Sequence, residues 1–113
     1  MEKHLTTQAD FNSMAATFKG LSDPSRLQLL AILLNGEANV GDLAAQCGLS
    51  PSATSHQLRV LRNLRFVTGR REGQQVNYRI NDEHIHDLLE QAYEHSLHLQ
   101  SKGGLINHDL KSK

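Results

Sequence analysis

The sequence predicts a mainly α domain carrying one β-hairpin, on three observations. Two segments open with a capping residue followed by proline, Asp23-Pro24 and Ser50-Pro51, and continue with apolar residues at helical spacing. Val76, Tyr78 and Ile80 alternate with polar residues and lie across Glu72-Gly73 from a second β-prone run. From Asp82 to His98, Ile85, Leu88, Leu89 and Ala92 recur at helical spacing behind an Asp cap, with Leu99 continuing the pattern.

A chain of 113 residues is one domain, or one that borrows part of its core from a partner. Only 4% of it is aromatic, so the core must be aliphatic and small, which favours helices and dimerisation. No apolar run approaches the length of a membrane span, and MEKHLTTQAD lacks the apolar stretch of a secretory signal, so the expected location is cytoplasmic, away from membranes. The single cysteine excludes an internal disulfide and any Cys-rich zinc module. Cys47 follows Leu43 by one helical turn and is expected as a small buried hydrophobe.

Formal net charge is zero, yet its distribution is lopsided. Pro51 to Asn81 holds six Arg and one Glu, whereas Asp82 to His98 holds five acids and neither Lys nor Arg. The first block is a candidate for nucleic acid, the second for cations.

In chain order, Phe11, Met14, Ala15 and Phe18 mark a packing helix from Thr7 to Lys19, ended by Gly20. The segment from Pro24 to Gly36 is apolar nearly all round and is expected as the central buried helix. Val40 to Cys47 forms a short helix stopped by Gly48, and Pro51 to Leu64 forms the next. Two helices joined by a short turn containing Gly have the sequence form of a helix-turn-helix.

On the Pro51–Leu64 helix, Thr54, Leu58 and Leu61 face inward, while Ser52, Ser55, His56, Arg59 and Asn63 fall on the opposite side. Hydroxyl, amide and guanidinium groups on one face can bond base edges and phosphates in a major groove. His56 serves equally well as a hydrogen-bonder at a helix contact. The hairpin follows, from Phe66 to Arg71 and from Gln74 to Ile80, with Arg70 and Arg71 at its tip in reach of phosphate or the minor groove. A basic hairpin directly after a reading helix makes a winged helix-turn-helix, expected over residues 1–100 with dimerisation helices at both ends, and with a mobile tail over 101–113.

On the last helix, three imidazoles share one face: His84 and His95 lie about 20° apart and His98 about 40° to the other side. Along the axis His84 and His95 are roughly 16 Å apart, far beyond metal bonds of about 2 Å. A second copy packed antiparallel would bring Asp82 and His84 of one chain to His95 and His98 of the other, twice per dimer. Three imidazoles and a carboxylate suit a tetrahedral borderline ion, zinc first. His86 points about 200° away and is expected as a surface residue.

These stretches, FKGLSDPSRLQLLAILLNGE, then VGDLAAQCGLSPSATSHQLRVLRNLRFVTGRREGQQVNYRI, then Asp82, His84, His95 and His98, resemble the ArsR/SmtB family of bacterial metal-sensing repressors over nearly the whole chain. The resemblance implies a homodimer that binds operator DNA when metal-free and leaves it on binding Zn(II), similar to the CzrA-like branch responsive to zinc and cobalt. Members that sense soft ions carry Cys near the start of the third helix, and GEANVGDLA has none, which argues against thiolate sensing of arsenic, cadmium or lead. Nickel and cobalt sensors of the family use the same four ligands with further donors from the chain ends, and His4 and His108 are available for such a six-coordinate Ni(II) or Co(II) site.

Other classes fit less well. Four protein ligands close a zinc shell that a hydrolase would keep open, and neither a nucleophile triad, a phosphate loop nor a helical H-E-x-x-H is present. No enzyme is expected. A winged DNA-binding protein with purely structural zinc is the remaining alternative.

Overall fold

A computed structural model of the chain describes residues 7–103. The elements run α1 (Gln8–Gly20), α2 (Pro24–Leu33), β1 (Ala38–Asn39), α3 (Val40–Cys47), α4 (Pro51–Asn63), β2 (Val67–Glu72), β3 (Gln75–Ile80) and α5 (Glu83–Gly103). They divide into two compact units, one ending at Asn81 and the other beginning at Asp82. No helix among the described residues is long and apolar enough to cross a membrane.

Each helix starts where a side chain satisfies an orphan backbone N–H. Thr7 Oγ1 accepts from the Asp10 N–H, and the Asp10 carboxylate accepts in turn from the Thr7 N–H in a capping box. Asp23 accepts from Arg26, Asn39 from Asp42 and Ser50 from Ala53. Proline follows the cap in α2 and α4, where no N–H is needed. Gly48 ends α3 at φ 71°, in the left-handed region.

In the first unit the core is mainly aliphatic, with one phenylalanine and one tyrosine among its buried residues. Leu29, Leu30 and Leu33 of α2 are buried together with Leu43 and Ala44 of α3, Leu58 and Leu61 of α4, and Phe66, Val67 and Tyr78 of the hairpin. α2 touches α3, α4 and β3, so it is central, although Leu27 on its outer side is exposed. Thr54 is the one fully buried polar side chain of the described residues, and its Oγ1 donates to the Ser50 carbonyl at 2.9 Å.

The structure departs from expectation in five places. Strand β1 joins the hairpin to make a sheet of order β1-β3-β2, Ala38 pairing with Tyr78 and Asn39 with Asn77. The hairpin turn is Gly73-Gln74 rather than Glu72-Gly73, because Glu72 still pairs with Gln75 and Gly73 alone adopts a positive φ, 65°. Phe11, Met14 and Phe18, expected to pack, form an exposed stripe on α1. Cys47 is half-buried rather than buried. Finally, α5 continues to Gly103, past the Ser101 start expected for the tail; residues 104–113 lie outside the described residues, as do His4 and His108.

Candidate functional site

The face of α4 opposite its core residues is polar and presented to solvent. Because Thr54, Leu58 and Leu61 are spaced to bury one side, Ser52, His56, Arg59 and Asn63 are exposed and Ser55 is half-buried. Arg62 also stands exposed in the last turn, where a cation is favoured by the carbonyl end of the helix. Arg26 ties this helix to the unit: its Nε donates to the Gly20 carbonyl at 2.8 Å and its Nη1 to Gln57 Oε1 at 3.2 Å.

The wing places its two arginines differently. Arg70 pairs across the ladder with Asn77 and Arg71 with Val76, so successive side chains leave opposite faces of the hairpin. Arg70 donates to both oxygens of Glu37, at 3.0 and 3.3 Å, and its Nη1 lies 3.5 Å from Glu72 Oε1. The Glu37 hydrogen bond, then the charges of Glu37 and Glu72, hold the guanidinium further above its already high ordinary value. Arg71 donates to the Gly73 carbonyl at 3.4 Å, and no carboxylate of the described residues pairs with it. Sequence reading missed Glu37, and no local signal marks a partner 33 positions away.

On α5, Asp82 caps the helix through Oδ1, which accepts from the Ile85 N–H at 3.0 Å and lies 3.8 Å from His84 Nδ1. The structure therefore brings these two candidate ligands together at the helix start. His95 and His98 lie exposed on the same unbroken helix, three turns on, and do not meet the first pair within one chain. Among the described residues, the group of three donors close enough for one ion is His86, Asp87 and Glu90, with ligand atoms within 4.8 Å of one another. His86, half-buried, lies 3.8 Å from Glu90 Oε1 at the i, i+4 spacing of ordinary helix pairs.

Comparison with known proteins gives a consistent picture. Residues 23–68 match the family described as "Bacterial regulatory protein, arsR family". The chain is 49% identical over 86 residues to the HTH-type transcriptional regulator NmtR of Mycobacterium tuberculosis, covering 76% of this chain and 72% of that protein. It is 40% identical over 91 residues to a cadmium resistance transcriptional regulatory protein, a CadC homolog of Staphylococcus aureus, covering 80% and 75%. Its fold is similar to the homodimeric winged helix-turn-helix DNA-binding domain of Mb0332 from Mycobacterium bovis, at TM-score 0.75 and 29% identity over 85% of this chain and 90% of that one.

Proposed function

The chain belongs to the arsR family of bacterial regulatory proteins, and from that premise we propose that it is a cytoplasmic, metal-responsive transcriptional repressor that binds operator DNA as a homodimer and releases it when zinc binds. Its relatives are regulators rather than enzymes. The single observation that carries the reading is the placement of Asp82 with His84 at one end of α5 and His95 with His98 three turns away, all four exposed to solvent.

Three imidazoles and one carboxylate are the donors of a closed zinc site, and one helix cannot bring them to one ion. A second copy completes the set, Asp82 and His84 of one protomer facing His95 and His98 of its partner, so the dimer carries two equivalent sites. Exposed apolar stripes support pairing between copies: Phe11, Met14 and Phe18 on α1, Tyr93 and Leu97 on α5. Residues 1–100 then form one winged domain whose first and last helices meet their symmetry mates. The lone Cys47, far in character from a thiolate cluster, favours nitrogen and oxygen ligation over cadmium-type chemistry.

When bound, the ion supplies coordinate bonds to deprotonated donors. The rest belongs to the chain. Ser52, Ser55, His56, Arg59 and Asn63 read the major groove from α4, and the wing that carries Arg70 and Arg71 runs along the phosphate backbone. Two such readers must stand about 34 Å apart to enter successive grooves. Metal and DNA then disfavour each other by one shared coupling free energy.

The test is the optical spectrum of the cobalt-substituted protein with operator affinity followed at fixed salt and pH. Intense tetrahedral bands accompanied by weakened DNA binding support the four-ligand zinc sensor. Weak six-coordinate bands move the assignment to a nickel or cobalt sensor that recruits His4 or His108. A tetrahedral site without any change in DNA affinity makes zinc structural.

A further inference from the structure

Adjacent wing arginines are in opposite circumstances. Glu37 precedes β1, one edge of the sheet, and Arg70 stands on β2, the other edge, so their bidentate pair spans β3 between them. Glu72 adds its carboxylate to the same guanidinium while accepting from Asn77 Nδ2 at 2.8 Å. The planar fork of Arg70 is thus filled by the kind of partner, a two-oxygen anion, that a DNA phosphate would be. Arg71 meets one carbonyl oxygen and no carboxylate of the described residues.

We propose that Glu37 is a positioning residue for DNA binding: it holds Arg70 as a brace across the sheet and out of phosphate contact, leaving Arg71 as the wing's phosphate ligand. This rests on the reading of the chain as a winged DNA-binding protein. An exposed ion pair contributes little to stability, so the balance between Glu37 and phosphate for Arg70 is shallow. Glu37 therefore restrains operator affinity far more than it supports the fold. Its side chain and that of Arg70 are both partly open to solvent, which makes the exchange sterically free.

The experiment measures affinity against salt concentration for a duplex that the wild-type protein itself selects from a random-sequence pool. Each protein–phosphate contact adds about 0.9 to the slope of log affinity against log salt. Glu37→Ala is expected to bind more tightly and to steepen the slope by about 0.9, so that its advantage over wild type changes about three- to fourfold across a fourfold range of salt. Glu37→Ala combined with Arg70→Gln is expected to return to the wild-type slope, since the released guanidinium is then gone.

Three results overturn the proposal. An unchanged slope in Glu37→Ala means that a freed Arg70 does not reach phosphate. A slope that stays steep in the double variant means that Glu37 acts by its own charge. A double-variant slope below wild type means that Arg70 binds phosphate despite Glu37. Arg71→Gln should lower the slope by about 0.9 with Glu37 in place. If Arg71→Gln and Arg59→Ala both leave the slope unchanged, the winged-reader assignment itself fails, and that result is separate from the other three. Circular dichroism of each variant verifies that the fold is retained.

Discussion

The side-chain amide of Asn81 donates to the main-chain carbonyl of Arg65 at 3.1 Å, and the Asn81 backbone N–H donates to the carbonyl of Phe66 at 3.0 Å. Together they bracket the point where α4 gives way to the wing. Arg65 stands there at φ 66°, while the Phe66 N–H bonds back to the Leu61 carbonyl and the Arg65 N–H to that of Arg62. That double bonding is the ending in which glycine usually takes the left-handed position.

A side chain in the left-handed region costs roughly 1–2 kcal/mol, and glycine's extra freedom in the unfolded chain offsets roughly 0.5–1 of it. Arg65→Gly should therefore raise stability by up to about 1 kcal/mol, read as a later urea midpoint. Asn81→Ala should lower it by about 1 kcal/mol through one lost hydrogen bond. A less stable Arg65→Gly would show that the arginine side chain contributes packing that outweighs its backbone strain.

What could be read from the sequence was whatever is encoded locally. Asp23-Pro24 and Ser50-Pro51 announce helix starts because the cap and its partner lie three residues apart, and the inward set Thr54, Leu58 and Leu61 follows from helical periodicity alone. Strand β1 was not legible: Ala38 and Asn39 are two residues long and become a strand only by pairing with Tyr78 and Asn77. The stripe of Phe11, Met14 and Phe18 was legible as apolar but not as exposed, because periodicity marks a face without saying what covers it. The turn moved by one residue because Gly73, the residue that tolerates positive φ, takes the first turn position rather than the second. Glu37 and Arg70 form a tertiary pair that no spacing rule foretells.

Asp82 has two proposed duties that substitution can separate. Its Oδ1 caps α5 by accepting from the Ile85 N–H, and its carboxylate is a proposed ligand. Asparagine caps as well as aspartate but carries no charge, whereas alanine loses the cap at about 0.5–2 kcal/mol. Asp82→Asn should keep the helix signal and stability while weakening zinc binding at least about tenfold, the loss that even supporting partners of a metal site produce. Asp82→Ala should lose both. Zinc affinity unchanged in Asp82→Asn would leave Asp82 a cap only.

Cys47 offers a check on thiolate sensing. Partial burial pushes its thiol above the ordinary value, so at neutral pH it holds less of the reactive thiolate than a free cysteine does. Alkylation by iodoacetamide should be slower than for an unstructured peptide thiol and unaffected by zinc. Cys47→Ala should leave the metal response of DNA binding intact for zinc and cobalt alike. Protection of Cys47 from alkylation by added metal would bring sulfur into the site.

His95 and His86 lie on the same helix and make opposite predictions. His95 belongs to the pair proposed to complete its site with a partner chain, whereas His86 sits with Asp87 and Glu90, its own helical neighbours. His95→Ala should bind operator with wild-type affinity in the absence of metal and lose the release by zinc. His86→Ala should retain both, because an i, i+4 His–Glu pair on a helix is worth only about 0.2–0.5 kcal/mol. Operator titrations with and without zinc decide between them. Should His86→Ala abolish the response while His95→Ala keeps it, the sensing site is the intrachain group, and the requirement for a second copy falls away with it.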